Sequence, residues 1–115
     1  MSCDDTVFVT DFAEDCVHML LADGKYVRRI GSKGSCCGQF LSPDGVACDA
    51  DGNIVVADSS NHRVQMLRAD GSFVSSFGSE GSGTLQFRFP HGVCVTSRGA
   101  IAVCDFGNHR VQLWS

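Results

Sequence analysis

Ile54-Val55-Val56-Ala57-Asp58-Ser59-Ser60-Asn61-His62-Arg63-Val64-Gln65 returns, little changed, as Ile101-Ala102-Val103-Cys104-Asp105-Phe106-Gly107-Asn108-His109-Arg110-Val111-Gln112. The second copy begins 47 positions after the first, at 101 against 54. A fainter copy lies upstream, where Val7, Val9, Asp11 and Val17 precede Ile54, Val56, Asp58 and Val64 by the same interval. Other landmarks keep this register: Asp23-Gly24 with Asp70-Gly71, Gln39-Phe40 with Gln86-Phe87, Pro43 with Pro90, and Gly45-Val46 with Gly92-Val93. A self-similar period of this length, free of insertions, is the signature of an array of supersecondary units.

One repeat divides into four short runs. Gly45 to Asp49 leads to Asp51-Gly52, a tight-hairpin dipeptide because glycine accepts positive φ. Ile54 to Ala57 is then apolar without a break, which fits a strand covered on both faces. Residues 59–62 are polar, Arg63 to Arg68 make a third run, and Asp70-Gly71 turns the chain into residues 72–77, where Phe73, Val74 and Phe77 are mixed with serines. Residues 78–83 are a glycine- and serine-rich connection. No stretch carries helical periodicity. Four antiparallel strands per repeat, the second dry on both faces and the fourth half polar, describe a propeller blade.

The chain therefore reads as all-β, with about two and a half four-stranded blades in its 115 residues. The expected boundaries are a partial blade over about 4–40, a full blade over about 41–87 and a partial blade over about 88–115. The strand count expected from this is three, four and three, with open sheet edges and two open blade faces. Such edges and faces recruit other chains, so a homo-oligomer is expected.

Composition narrows the function. The net charge of −4 offers no overall electrostatic footprint for nucleic acid. No apolar run approaches the length of a membrane span, and no charged-then-apolar leader is evident. The seven cysteines keep neither paired CxxC spacing nor a fixed place in each repeat. Cys104 stands where Ala57 does and Cys94 where Ala47 does, as free cysteine packs like a small apolar residue. All seven are expected to be reduced, in a cytoplasmic protein.

Asp58 with Asn61-His62-Arg63, and Asp105 with Asn108-His109-Arg110, look at first like acid–base constellations. A catalytic group is needed once, whereas a residue present in every blade belongs to the blade. Asp58–Arg63 and Asp105–Arg110 are therefore expected to be structural pairs across the turn, and Asn61 to bond loop backbone. The first repeat departs from this pattern: Glu14-Asp15-Cys16 replaces Asn-His-Arg, so Asp11 loses its arginine. That loop is the one expected to have been given over to something else. His91, aligned with Asp44, is a singular histidine at the start of an inner strand. No nucleophile elbow, phosphate-binding glycine loop or His-Glu-x-x-His is present. The chain is expected to be no enzyme and to need no metal or cofactor.

Pro-x-Gly-Val, Asp51-Gly52-Asn53-Ile54-Val55-Val56-Ala57-Asp58-Ser59, Asn61-His62-Arg63-Val64-Gln65 and a closing Phe77-Gly78 followed by Gln86-Phe87 resemble the NHL repeat. The resemblance covers nearly the whole chain, and tripartite-motif proteins are among those that carry such domains. It implies a propeller, commonly six-bladed, so two copies of this chain would close one ring as a dimer. It also implies a protein-interaction scaffold with a protein partner, with RNA binding on one propeller face as the alternative. A third account is a metalloenzyme like the amidating lyases, which hold a metal in the channel through histidines; here only His91 stands at that level. Recognition is expected in the loops that differ between copies, residues 59–62 and 106–109 and the connections 32–42 and 79–89, with Phe89, Phe106, His62 and His109 as the candidate residues.

Overall fold

A computed structural model describes the backbone of residues 2–3 and 5–114 and the side chains of 5–114. The expectations concerning Met1, Asp4, the Cys3 side chain and Ser115 lie outside the described residues. The first sheet contains β1 (Ser2–Cys3), β2 (Thr6–Asp11), β3 (Cys16–Leu21) and β4 (Tyr26–Ile30), in that spatial order. The second contains β5 (Pro43–Cys48), β6 (Ile54–Asp58), β7 (Arg63–Leu67) and β8 (Phe73–Phe77). β9 (Ser79–Glu80) and β10 (Gln86–Phe87) form a short parallel pair in the connection that follows. The third sheet contains β11 (Pro90–Val95), β12 (Ile101–Asp105) and β13 (Arg110–Trp114). All three sheets are antiparallel, an all-β arrangement consistent with a partial propeller.

Among the described residues the sheets hold four, four and three strands. The expected three-stranded first sheet is corrected by β1, which pairs with β2 through Ser2↔Val7 and Cys3↔Thr6. A two-residue strand lies below the length at which alternation can be read.

The register repeats as the sequence does. Ile54 faces Leu67 and Asp58 faces Arg63 across β6 and β7, while Ile101 faces Trp114 and Asp105 faces Arg110 across β12 and β13. Successive side chains point to opposite faces of a strand, and β6 uses both. Ile54 and Val56 join Phe8, Val17, Ile30, Phe40 and Leu67 in the core between the first two sheets. Val55 joins Val64, Phe87, Ile101 and Val103 in the core between the second and third. Every residue of β6 is buried.

Two glycines are required by this packing. A Cβ on Gly45 would lie 2.5 Å from the His91 carbonyl oxygen and 2.9 Å from Gly92 Cα, so β5 and β11 meet backbone to backbone. Gly78, at φ +102°, has the Phe87 ring where a side chain would stand. Phe87 and its counterpart Phe40 are wholly buried plugs beneath the connections between sheets.

The cysteines correct another expectation. Cys48 is disulfide-bonded, whereas Cys16, Cys36, Cys37, Cys94 and Cys104 are free. Cys48 ends β5, and the linear spacing of the cysteines gives no sign of its bond. The argument for a reducing compartment falls with it. Among the described residues no helix is long and apolar enough to cross a membrane.

Candidate functional site

The repeated Asp-Asn-His-Arg-Val-Gln segment forms a staple between neighbouring sheets. Asp58 ends β6 wholly buried, and its carboxylate accepts four hydrogen bonds. Oδ1 accepts from the Leu41 N–H at 2.8 Å; Oδ2 accepts from Asn61 Nδ2 at 2.9 Å, Arg63 Nε at 2.7 Å and Gln65 Nε2 at 3.2 Å. These donors reach further, to the connection arriving from the first sheet. Arg63 donates to the carbonyls of Ser35, Cys36 and Gln39, Asn61 to that of Gly34, and Gln65 to that of Gln39. Gln65 Oε1 in turn accepts from Gly38 N–H at 2.9 Å. A buried charge is tolerated when it is paired and its lone pairs are filled, and Asp58 meets both conditions.

The third sheet repeats the staple. Asp105 accepts from Arg88 N–H at 2.8 Å, Asn108 Nδ2 at 2.9 Å and Arg110 Nε at 3.1 Å. Arg110 holds the carbonyls of Gly83 and Gln86, Asn108 that of Gly81, and Gln112 that of Gln86. Burial works against ionisation of Asp105, yet these hydrogen bonds and the Arg110 charge outweigh it and lower its pKa. Gln65 and Gln112 belong to the staple and were missed among the candidate residues, although their recurrence in register was a visible signal.

Between each aspartate and its arginine the chain makes a single 3-10 turn, Ser59–Asn61 or Phe106–Asn108, closed by His62 or His109 in the left-handed region. Both histidines therefore sit at the corner of the turn. His62 is largely covered, with 14% of its side chain exposed. Its Nδ1 accepts from the Phe89 N–H at 3.1 Å, and its ring meets the Phe89 ring edge-on at 4.6 Å. His109 is exposed.

The two candidate phenylalanines lie on this same end of the sheets and face solvent. Phe89 is 48% and Phe106 59% exposed. Phe106 stacks on His91 at 4.5 Å, and His91 Nδ1 lies 3.1 Å from Asp44 Oδ2. The aligned pair Asp44 and His91 thus meets across β5 and β11. Phe12, at the position of Phe106 two sheets earlier in the register, is 67% exposed; it too was missed, though the repeat register marked it.

The first sheet carries different chemistry at the staple. Cys16 replaces arginine and His18 replaces glutamine, counting in register from Arg63 and Gln65. His18 Nε2 lies 2.9 Å from Asp11 Oδ2 and 3.6 Å from Cys16 Sγ, and Nδ1 lies 3.1 Å from the Tyr26 hydroxyl. The His18 hydrogen bond, with that from the Glu14 N–H, lowers the Asp11 pKa; burial raises that of the Cys16 thiol.

Residues 40–66 and 87–113 match the family model of the NHL repeat. No curated protein matches the sequence. Among solved structures, a protein of unknown function from Bacteroides thetaiotaomicron superposes with a TM-score of 0.78 at 19% identity, covering 96% of this chain and 32% of that one. A second protein of that organism, called "Putative phosphatase", superposes with a TM-score of 0.69 at 14% identity, covering 96% and 32%. The chain thus spans about a third of the length of each solved structure, and at these identities the likeness is one of fold. Both matched segments run from the connection before an inner strand, through the buried aspartate, to the arginine strand that secures that connection. By that repeat the chain belongs to the NHL-repeat family.

Proposed function

We propose that this chain is a non-catalytic interaction scaffold whose loop-bearing end docks a protein partner. The observation that carries the reading is the set of exposed aromatic side chains Phe12, Phe89 and Phe106 on held backbone: the Glu14 N–H bonds Asp11 in the turn of Phe12, the Phe89 N–H bonds His62, and the third-sheet staple fixes the turn of Phe106. Exposed aromatic residues held on a rigid frame are efficient anchors for an interface. The repeated polar groups are consumed by structure, since the carboxylates, amides and guanidinium groups of residues 58–65 and 105–112 bond one another and the neighbouring connection.

The same reading includes association with a further blade. Ala102, Cys104, Val111 and Gly92–Cys94 line an open apolar face of the third sheet. A second copy closing a six-bladed ring is the simplest source of that blade, and the remainder of a longer propeller is the other. Affinity capture with wild type, Phe106→Ala and Phe89→Ala tests the docking site. A protein recovered by wild type and lost from both variants, with circular dichroism unchanged, is the expected result. Equal recovery by all three overturns it, and salt-sensitive RNA recovery without protein supports the RNA alternative.

A further inference from the structure

We infer that Asp11, Cys16 and His18 form a binding site for Zn2+. Three ligand atoms of the right kinds, one carboxylate oxygen, one thiol sulfur and one imidazole nitrogen, lie within 4.8 Å of one another. Mixed oxygen, nitrogen and sulfur donors suit zinc, which takes cysteine, histidine and carboxylate ligands.

The ring geometry separates a metal site from a nucleophilic relay. In a relay, the histidine uses one nitrogen for the nucleophile and the other for the orienting carboxylate. Here the single atom Nε2 faces both Cys16 Sγ, at 3.6 Å, and Asp11 Oδ2, at 2.9 Å. All three groups converge on one point. Zinc–sulfur and zinc–nitrogen bonds of about 2.3 and 2.0 Å in a tetrahedron put those two ligand atoms about 3.5 Å apart, close to the 3.6 Å separation in the structure. The opposite nitrogen, Nδ1, is 3.1 Å from the Tyr26 hydroxyl. A hydrogen bond from the far ring nitrogen is what fixes the tautomer of a metal-bound histidine, leaving the Nε2 lone pair for the ion.

The repeat supplies an independent argument. In the second and third sheets the aspartate at the end of the second strand is neutralised by a guanidinium, 2.7 Å away at Asp58 and 3.1 Å away at Asp105. In the first sheet the arginine position holds Cys16, which brings no cation but brings a ligand for one. A divalent ion at this point restores the charge that the repeat otherwise supplies covalently. Asp11 and His18 are half-buried and reach solvent, so water can complete the coordination. Binding releases one proton: the Cys16 thiol is deprotonated as the sulfur–zinc bond forms, and the imidazole proton shifts from Nε2 to Nδ1 through solvent. This inference stands apart from partner docking, since it concerns neither Phe89 nor Phe106.

Titration of the metal-free full chain with ZnCl2 against a chromophoric chelator tests the site. One equivalent bound is expected, and Co2+ should give a thiolate charge-transfer absorption that is lost in Cys16→Ser and kept in a Cys36→Ser, Cys37→Ser double variant. His18→Gln installs the residue found at this position in the other two sheets, so folding should be retained while binding is abolished. Tyr26→Phe should weaken binding by about tenfold. Should Cys16→Ser fail to fold, the wild-type chain still decides: Zn2+ must shift the His18 ring resonances and leave those of His62, His91 and His109 in place. No binding near one equivalent, binding that survives Cys16→Ser, or shifts shared among all four histidines overturns the inference.

Discussion

The second and third sheets are built from nearly the same strands, yet one is buried on both faces and the other on one. Val64 is wholly buried, and its counterpart Val111 is 70% exposed. Ala57 and Ala47 are buried where Cys104 and Cys94 are open to solvent. The cause is the neighbour. β11 and Phe87 cover the second sheet, while the corresponding face of the third has no cover within the described residues. A residue's contribution in a repeat array therefore depends on the adjoining unit as much as on its own strand.

The sharpest way to break this comparison is to remove the buried carboxylates. Asp58→Ala leaves the Leu41 amide and the Arg63, Asn61 and Gln65 side chains without their shared acceptor. It should destabilise by about 3–5 kcal/mol, the range for breaking a buried pair. Asp105→Ala should cost less, because its arginine is 33% exposed against 14% for Arg63. Urea denaturation of both variants checks the order, and equal losses would mean that the two staples are equivalent despite their cover.

Trimming the apolar faces sharpens the contrast. Val64→Ala should cost about 1–2 kcal/mol through lost burial and a residual cavity, whereas Val111→Ala should stay within about 0.5 kcal/mol. If a further blade closes over the third sheet, the second figure should rise toward the first as protein concentration increases. Thermal melts at two concentrations distinguish these outcomes.

A smaller effect follows from protonation. The folded state holds the Asp105 proton less tightly than the unfolded chain does, so on acidification the unfolded chain takes up that proton first. Stability should be present above the ordinary carboxylate range and decline as pH falls below about 4. Asp105→Asn should show a shallower decline between about pH 5 and pH 3 in denaturation midpoints. An unchanged slope would remove Asp105 from the account of acid sensitivity.

Much of this architecture is legible in one sequence because the repeat reports its own register. The unbroken Ile54–Ala57 run marks the strand buried on both faces, and the recurrence of Asp58 and Arg63 marks them as frame. What the sequence concealed lies between repeats. The grip of Arg63 on residues 35–39 and the meeting of Asp44 with His91 join positions brought together by stacking, which local periodicity does not encode. The departure at Cys16 was visible as a broken pattern. Its meaning required His18 and Tyr26 to be placed around it by β3 and β4.

The hold of each staple on the connection before it has a further consequence for how the molecule opens. Residues 34–41 are tied to the second sheet by Asp58, Asn61, Arg63 and Gln65, although they follow the first sheet along the chain. Local unfolding proceeds in contiguous cooperative units, and here the units are offset from the sequence repeat by one connection. In amide hydrogen exchange, residues 34–41 should share the opening free energy of β6 and β7 rather than that of β4. The foldons of this array would then overlap at their seams like roof tiles, each lying on the edge of the next.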